Sequence, residues 1–255
     1  MSKYQEVVFL DTNILHFAHL YLKFAIKKRL PPFKERKDSE IEREINNHWK
    51  GGSREIINKS KKLIQNLQKR TRKGDRIVYS PISYQELACG ILKGKAIEDA
   101  AKQNIPRMWN RMCDDEIFEQ LLSCYYGDNV KDLNGLETEF ENADINLMQA
   151  SGTSMYEVWI VARNLLKYVF LDVGDSIIYA SALLELANEL RSSDGYLRKI
   201  ANRISNPNSF EKKDSEQYQH FVKTQKTLRK LLSETTKFNE SDILFPKANS
   251  KWYEG

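Results

Sequence analysis

Cysteine is sparse: Cys89, Cys113 and Cys124 are the only three in 255 residues. None stands in a CxxC or Cys/His metal spacing, so neither a disulfide framework nor a zinc site is implied. Proline and glycine are scarce as well, at 6 and 11 residues, which excludes collagen-like and Pro/Gly-rich low-complexity chains. No apolar run reaches membrane-spanning length, and MSKYQEVVF enters a strand with no signal-peptide core, so a cytoplasmic protein without membrane contact is expected. No internal repeat is present. What remains, 41% hydrophobic and 29% charged, is the composition of a helix-leaning globular chain long enough to bury a full core.

The formal net charge of +5 hides a strong unevenness. Residues 27–76 carry 17 Lys and Arg against 7 Asp and Glu, in text such as KKRLPPFKERK and KSKKLIQNLQKRTRKGDR. Residues 114–144 reverse this, with 10 acids against the single base Lys131, and residues 195–255 return to 12 bases against 7 acids. A basic lobe of that density suits a polyanion, because Lys and Arg displace condensed counterions from phosphates. A solvated helical face is the other reading of such a run.

The hydrophobic pattern predicts an α/β chain. VVFL at 7–10 reads as a strand buried on both faces, and HFAHLYLKFAIKKRL as a helix stopped before Pro31 and Pro32. A basic helical insertion follows at about 27–76, with Gly51 and Gly52 as a break and IINKSKKLIQNLQKR as an amphipathic helix. Arg76–Ser80 forms a second strand. Ser83-x-x-Glu86 then has the form of a capping box, which puts Glu86 in the first turn of the next helix. An acidic insertion spans about 96–150, with few strand signals. MYEVWIVARNLLKYVFL and SIIYASALLELANEL read as apolar helices, the second buried on nearly all sides. Leu190–Ser193 is extended up to Asp194, a helix GYLRKIANRI follows, and a basic tail at about 205–255 holds the helix FVKTQKTLRKLL and an extended end.

Four acids share one context. Asp11 ends a strand, Glu86 opens a helix after a strand, Asp175 starts a buried helix, and Asp194 ends an extended segment. A parallel α/β sheet brings such positions together at its C-terminal edge. Buried carboxylates need donors or a cation, and hard oxygen ligands without nitrogen or sulfur select Mg²⁺ or Mn²⁺, which bridge to phosphate oxygens. Asp172, three residues before Asp175, is an additional ligand candidate. The chemistry indicated is phosphodiester hydrolysis.

VVFLDTNIL, SPISYQELACGI and GDSIIYASALLELANELRSSDGYLRKI resemble the three motifs of the PIN-domain nucleases, including the VapC-like toxins. The resemblance covers about half the chain. It implies a three-layer α/β domain with a central parallel sheet, here carrying large helical insertions, and a Mg²⁺- or Mn²⁺-dependent endoribonuclease. The acidic quartet falls on Asp11, Glu86, Asp175 and Asp194, and the supporting polar residues on Asn13 and Ser193. An antitoxin or other protein partner and self-association are implied in the same way. The intervals depart from small family members: Asp11 to Glu86 spans 75 positions and Glu86 to Asp175 spans 89.

Lys61, Lys62, Lys69 and Arg70 in the basic lobe are the RNA-backbone candidates. Trp49 is the best-placed aromatic for base stacking. His16 and His19 lack acidic or cysteine partners at ligand spacing, and Glu157 reads equally as a solvated helical position. The rival reading is a non-catalytic RNA- or protein-binding scaffold that keeps the fold, with the acidic tract docking a basic partner.

Overall fold

A computed structural model of the chain describes residues 5–30, 38–87, 90, 136–150, 154–209, 215–236, 238–249 and 251–254. The expected acidic insertion therefore lies outside the described residues except for its end at 136–150.

Strand β1 (Val7–Leu10) is the hub of the sheet. It pairs in parallel with β2 (Arg76–Tyr79) on one side, in the register Val7 to Arg76 and Leu10 to Tyr79, and with β4 (Glu189–Arg191) on the other, Leu10 to Arg191. β3 (Leu147–Gln149) extends the sheet beyond β2, and β5 (Lys247–Ala248) beyond β4. The order is β3-β2-β1-β4-β5, all parallel.

The unbroken apolar run of β1 follows from this central place, since strand side chains alternate between faces. Val7 and Phe9 enter one core, Val8 and Leu10 the other. Helices α1 (Thr12–Lys28), α2 (Asp38–His48), α3 (Gly51–Arg72) and α5 (Leu136–Glu141) bury their apolar faces in the second core. Helices α6 (Met155–Val169), α7 (Val173–Leu184), α8 (Gly195–Ser205) and α9 (Glu216–Thr235) bury theirs in the first. The expected three-layer α/β architecture with a parallel sheet is thus present. A further helix, α4, is described over residues 81–87 and leaves the end of β2.

Local chemistry sets the boundaries. α1 ends at Arg29, whose left-handed φ of 52° lets its N–H close on Ala25 and Ile26 carbonyls, with Lys27 and Lys28 on the negative end of the helix dipole. α7 is buried without interruption from Ser176 to Leu184, where Ala180, Ser181 and Ala182 permit close approach of neighbours. It stops earlier than the apolar text suggests, because Leu186 adopts φ 52° and the chain turns into β4.

The basic segment is a structural layer as well as a charged one. Ile57, Leu63, Ile64 and Leu67 of α3 lie in the same core as Leu15 and Leu22 of α1, and each such burial stabilises by about 1.5–3 kcal/mol. The basic tail also joins the fold: α9 buries Phe221, Leu228 and Leu232, β5 forms a sheet edge, and Trp252 stacks on Phe17 with ring centres 5.1 Å apart. β3 lies where few strand signals were expected. With three residues and only Leu147 buried, it is too short to display a period of two. Among the described residues no helix is long and apolar enough to cross a membrane.

Candidate carboxylate site

The chain runs outward from β1 through β2 to β3 and then crosses back to β4 on the other side of β1, so the crevice between the C-terminal ends of β1 and β4 is the topological switch point, where parallel sheets place ligands. Asp11 stands at its mouth. Its N–H donates to Arg191 O at 3.0 Å, continuing the ladder one residue past the strand. Its carboxylate, 2% exposed, accepts from Thr12 N at 2.6 Å on Oδ1, and from Asn13 Nδ2 at 2.7 Å and Ser192 Oγ at 2.6 Å on Oδ2. Among the described residues, three donors and no cation answer this buried charge. Burial outweighs them and pushes the Asp11 carboxyl up to about 6, with Glu86 adding to the rise.

The loop after β4 is stapled to the loop after β1. Asn13 Oδ1 accepts from Ser193 N at 2.9 Å, and Ser192 Oγ, besides donating to Asp11, accepts from Asp194 N at 2.9 Å. The hydroxyl that reaches Asp11 therefore belongs to Ser192; Ser193, the expected supporting residue, contributes its backbone N–H. Asp194 is the N-cap of α8, accepting from Leu197 N at 2.7 Å.

The third element is the start of α7. Asp172, not Asp175, is its N-cap, accepting from Asp175 N at 2.8 Å, so Asp175 sits within the first turn. Burial, then the charges of Asp172, Asp11, Asp194 and Glu86, push the Asp175 carboxyl up to about 7. The expected capping box before Glu86 does not form: the helix already includes residue 81, so Pro81 takes an early position and Ser83 lies inside, buried, with an Oγ that makes no hydrogen bond. Glu86 points to the site instead, its Oε2 accepting from Thr12 Oγ1.

All five acids, Asp11, Glu86, Asp172, Asp175 and Asp194, line one open cavity of about 430 Å³ together with Thr12, Asn13, His16 and Gly174, and among the described residues no Lys or Arg lines it. Among the described residues, no three His, Cys, Asp or Glu side chains are gathered closely enough to hold a metal ion as they stand. Burial first, and then the neighbouring carboxylates, hold the Asp11 and Asp175 carboxyls above the ordinary aspartate range, with no cation among the described lining residues to offset them. In kind the donors are hard, anionic oxygens, which fit Mg²⁺ or Mn²⁺ rather than a softer metal.

The four RNA-backbone candidates do not form one patch. Lys61 is buried on the inner face of α3. Arg70 is committed to Glu6, to Asp75 at 3.0 Å and to Glu189 at 2.8 Å, beside the N-terminal ends of the strands and away from the carboxylates. Lys62 and Lys69 are exposed. Trp49 packs edge-on to Phe24 at 6.0 Å and belongs to the core. Glu157 is the return partner of Ser154 in a capping box, and His19 pairs with Glu139 at 2.7 Å. Thr12, Gly174 and Ser192 enter the site without having been singled out, and His16, which its spacing had discounted, lines the cavity as well. For His16 and Thr12 the signal was present, since both lie within five residues of Asp11 on the helix it caps.

Comparison with family models, with curated proteins and with solved structures gives no match for this chain.

Proposed function

We propose that the chain is a divalent-cation-dependent endoribonuclease of the PIN-domain type. The observation that carries this reading is the gathering of five carboxylates, with no cationic side chain among the described residues that line the cavity, at the switch point of a parallel sheet. Asp11, Glu86, Asp175 and Asp194, with Asp172 beside them, would hold Mg²⁺ or Mn²⁺, which when bound polarises phosphoryl oxygens and eases ionisation of water. The chain's own groups supply orientation. Ser192, Asn13 and Thr12 fix the Asp11 carboxylate from three directions, Thr12 also holds Glu86, and the caps on Asp172 and Asp194 leave those side chains anchored at helix starts. An ion held by this set would favour the ionised forms of Asp11 and Asp175, which burial and then their acidic neighbours keep prone to protonation. The substrate is RNA, cut to leave 5′-phosphate and 3′-hydroxyl ends, in a toxin, defence or RNA-processing role, with an antitoxin as a partner of the toxin role.

The test is incubation of purified protein with total RNA and Mn²⁺, with and without chelator, beside the Asp175→Asn variant. Cleavage confined to the parent protein with free Mn²⁺ supports the reading, and cleavage indifferent to both chelator and variant overturns it.

A second reading, a non-catalytic RNA- or protein-binding scaffold, draws on one observation: Asp11, Asp172 and Asp194 each cap a helix, a role that needs no turnover. RNA binding without any cleavage in Mn²⁺ selects it.

A further inference from the structure

The outer face of α3 carries a groove distinct from the carboxylate cavity. Gly51, Arg54, Glu55, Asn58, Lys59 and Lys62 recur at intervals of three and four and so form one stripe along the helix, and Tyr253 from the C-terminal segment closes it into a cavity of about 390 Å³. Lys59 Nζ and Lys62 Nζ lie 5.5 and 5.8 Å from the centre of the Tyr253 ring. Lys59 also pairs with Glu55 at 2.5 Å, so among the described residues the groove sets three cations, Arg54, Lys59 and Lys62, against one carboxylate.

Tyr253 is held in place by its neighbours. It stands edge-on to Trp252 at 5.4 Å, Trp252 is buried and stacks on Phe17 at 5.1 Å, and Phe17 adjoins His16 at 6.1 Å. His16 lines the carboxylate cavity. A row of rings thus connects the cavity to the groove across the outer layer.

We infer that this groove is a second nucleic-acid subsite, in which Tyr253 stacks a base of single-stranded RNA while Arg54, Lys59 and Lys62 hold the flanking phosphates; the inference rests on the ribonuclease reading. An aromatic face flanked by flexible ammonium groups is the arrangement that binds single strands without sequence preference, because every base has a π face and every nucleotide a phosphate. An arriving base takes the half-exposed ring, and the lysines move from the ring onto the phosphates beside it. The groove also assigns the basic lobe a different track from the one its sequence suggested. The cations that matter are on the outer stripe of α3, whereas Lys61 and Arg70 face inward.

The experiment uses the full chain with Asp175→Asn to prevent turnover, and labelled single-stranded RNAs of about 5 and about 15 nucleotides, lengths that span one or several binding positions. Tyr253→Ala should weaken binding of the longer RNA by about 10-fold, Tyr253→Phe should retain it, and both should melt where the parent melts. Lys62→Glu should weaken the same RNA and lower its log–log salt slope by about 0.7 or more. The preference of the parent for the longer RNA should collapse in Tyr253→Ala and Lys62→Glu. If the parent binds RNA and prefers the longer strand while both variants keep that preference, the groove is not a subsite. If Lys62→Glu weakens binding and Tyr253→Ala does not, the stacking role is overturned. If the groove variants lose an acidic polypeptide such as poly-glutamate but keep RNA, the occupant is a protein. If the parent binds no RNA of either length, the ribonuclease reading itself fails and takes the subsite with it.

Discussion

Glu86 packs its carboxylate against the bare Cα of Gly174: a Cβ at that position would come within 2.7 Å of Glu86 Oε1 and 3.6 Å of Asp172 Oδ1. Gly174 lies in the first turn of α7, where alanine is by itself the better helix former by about 1 kcal/mol. The clash is with the end of an exposed, flexible side chain, so the fold can absorb it by moving Glu86. Gly174→Ala should therefore leave the thermal midpoint within a few degrees of the parent while lowering cleavage about 10- to 100-fold, since displacement of a positioned group by about 1 Å has that effect. Parallel melting curves and initial rates in Mn²⁺ decide it: an unchanged rate would detach Glu86 from the chemistry.

The two adjacent serines separate structure from sequence pattern. Ser192→Ala removes a donor from the buried Asp11 carboxylate and the acceptor of Asp194 N together, and should destabilise by about 1–3 kcal/mol. With one lowering hydrogen bond gone, the Asp11 carboxyl rises further, so the acid limb of the pH–rate profile should move to higher pH. Ser193→Ala keeps the backbone N–H that serves Asn13 and should change stability by less than about 0.5 kcal/mol. Urea titration of the two variants, with pH–rate profiles, checks the assignment; equal effects would refute it.

Arg70 and Lys62, eight residues apart in the same basic helix, belong to different roles, and their variants should part accordingly. Arg70 satisfies Glu6, Asp75 and Glu189, which hold the starts of β1, β2 and β4 together. Arg70→Ala leaves buried Asp75 without its guanidinium and Glu189 with Arg191 alone, and should destabilise by about 1–3 kcal/mol. Its effect on RNA affinity, measured where the variant is still folded, should be slight. Loss of RNA affinity with full stability would return Arg70 to the binding surface.

These contrasts mark how far the sequence could be read. The strand ending at Asp11 and the buried helix after Asp175 were legible as unbroken apolar runs, and the extended piece before Asp194 as the short stretch between two helices, whereas the order of the strands in the sheet was not read from the sequence. The cap of α7 was misplaced because Asp172 and Asp175 both suit a helix start, and only the chain's approach angle distinguishes them. Glu86 was placed among the four acids, but the capping box read into Ser83-x-x-Glu86 does not form, because that pattern is indistinguishable in sequence from a true box; the pre-set φ of Pro81 won and began the helix earlier. Which lysines face out could not be read from charge density, since Lys61 and Lys62 differ by one residue and about 100° around α3. The place of Tyr253 beside α3 depends on β5 and Trp252, contacts nearly two hundred positions away in the chain.

The carboxylate cluster should make folding stability fall as pH rises. Asp11 at about 6 and Asp175 at about 7 both exceed the ordinary aspartate value of 3.8. Between pH 4 and 7 the folded chain therefore holds protons that the unfolded chain has released. The stabilisation from those protonated forms is complete below about pH 4 and is lost as pH rises through 6 and 7. For buried Asp11 the loss is on the order of 2–3 kcal/mol, and part-exposed Asp175 adds a smaller, solvent-screened amount. Divalent cation binding to the ionised set offsets it, so Mn²⁺ should raise the thermal midpoint at pH 8 more than at pH 5. Asp175→Asn removes one of the repelling charges and retains a similar shape. It should melt higher than the parent at pH 8 in chelator, lose most of the Mn²⁺-dependent shift, and fail to cleave RNA, the combination expected where function is installed against stability. Calorimetry at pH 5 and 8, with chelator or Mn²⁺, reads all three quantities. A variant that melts lower than the parent at pH 8 and still gains the full Mn²⁺ shift would place the cation, and the charge repulsion, away from Asp175.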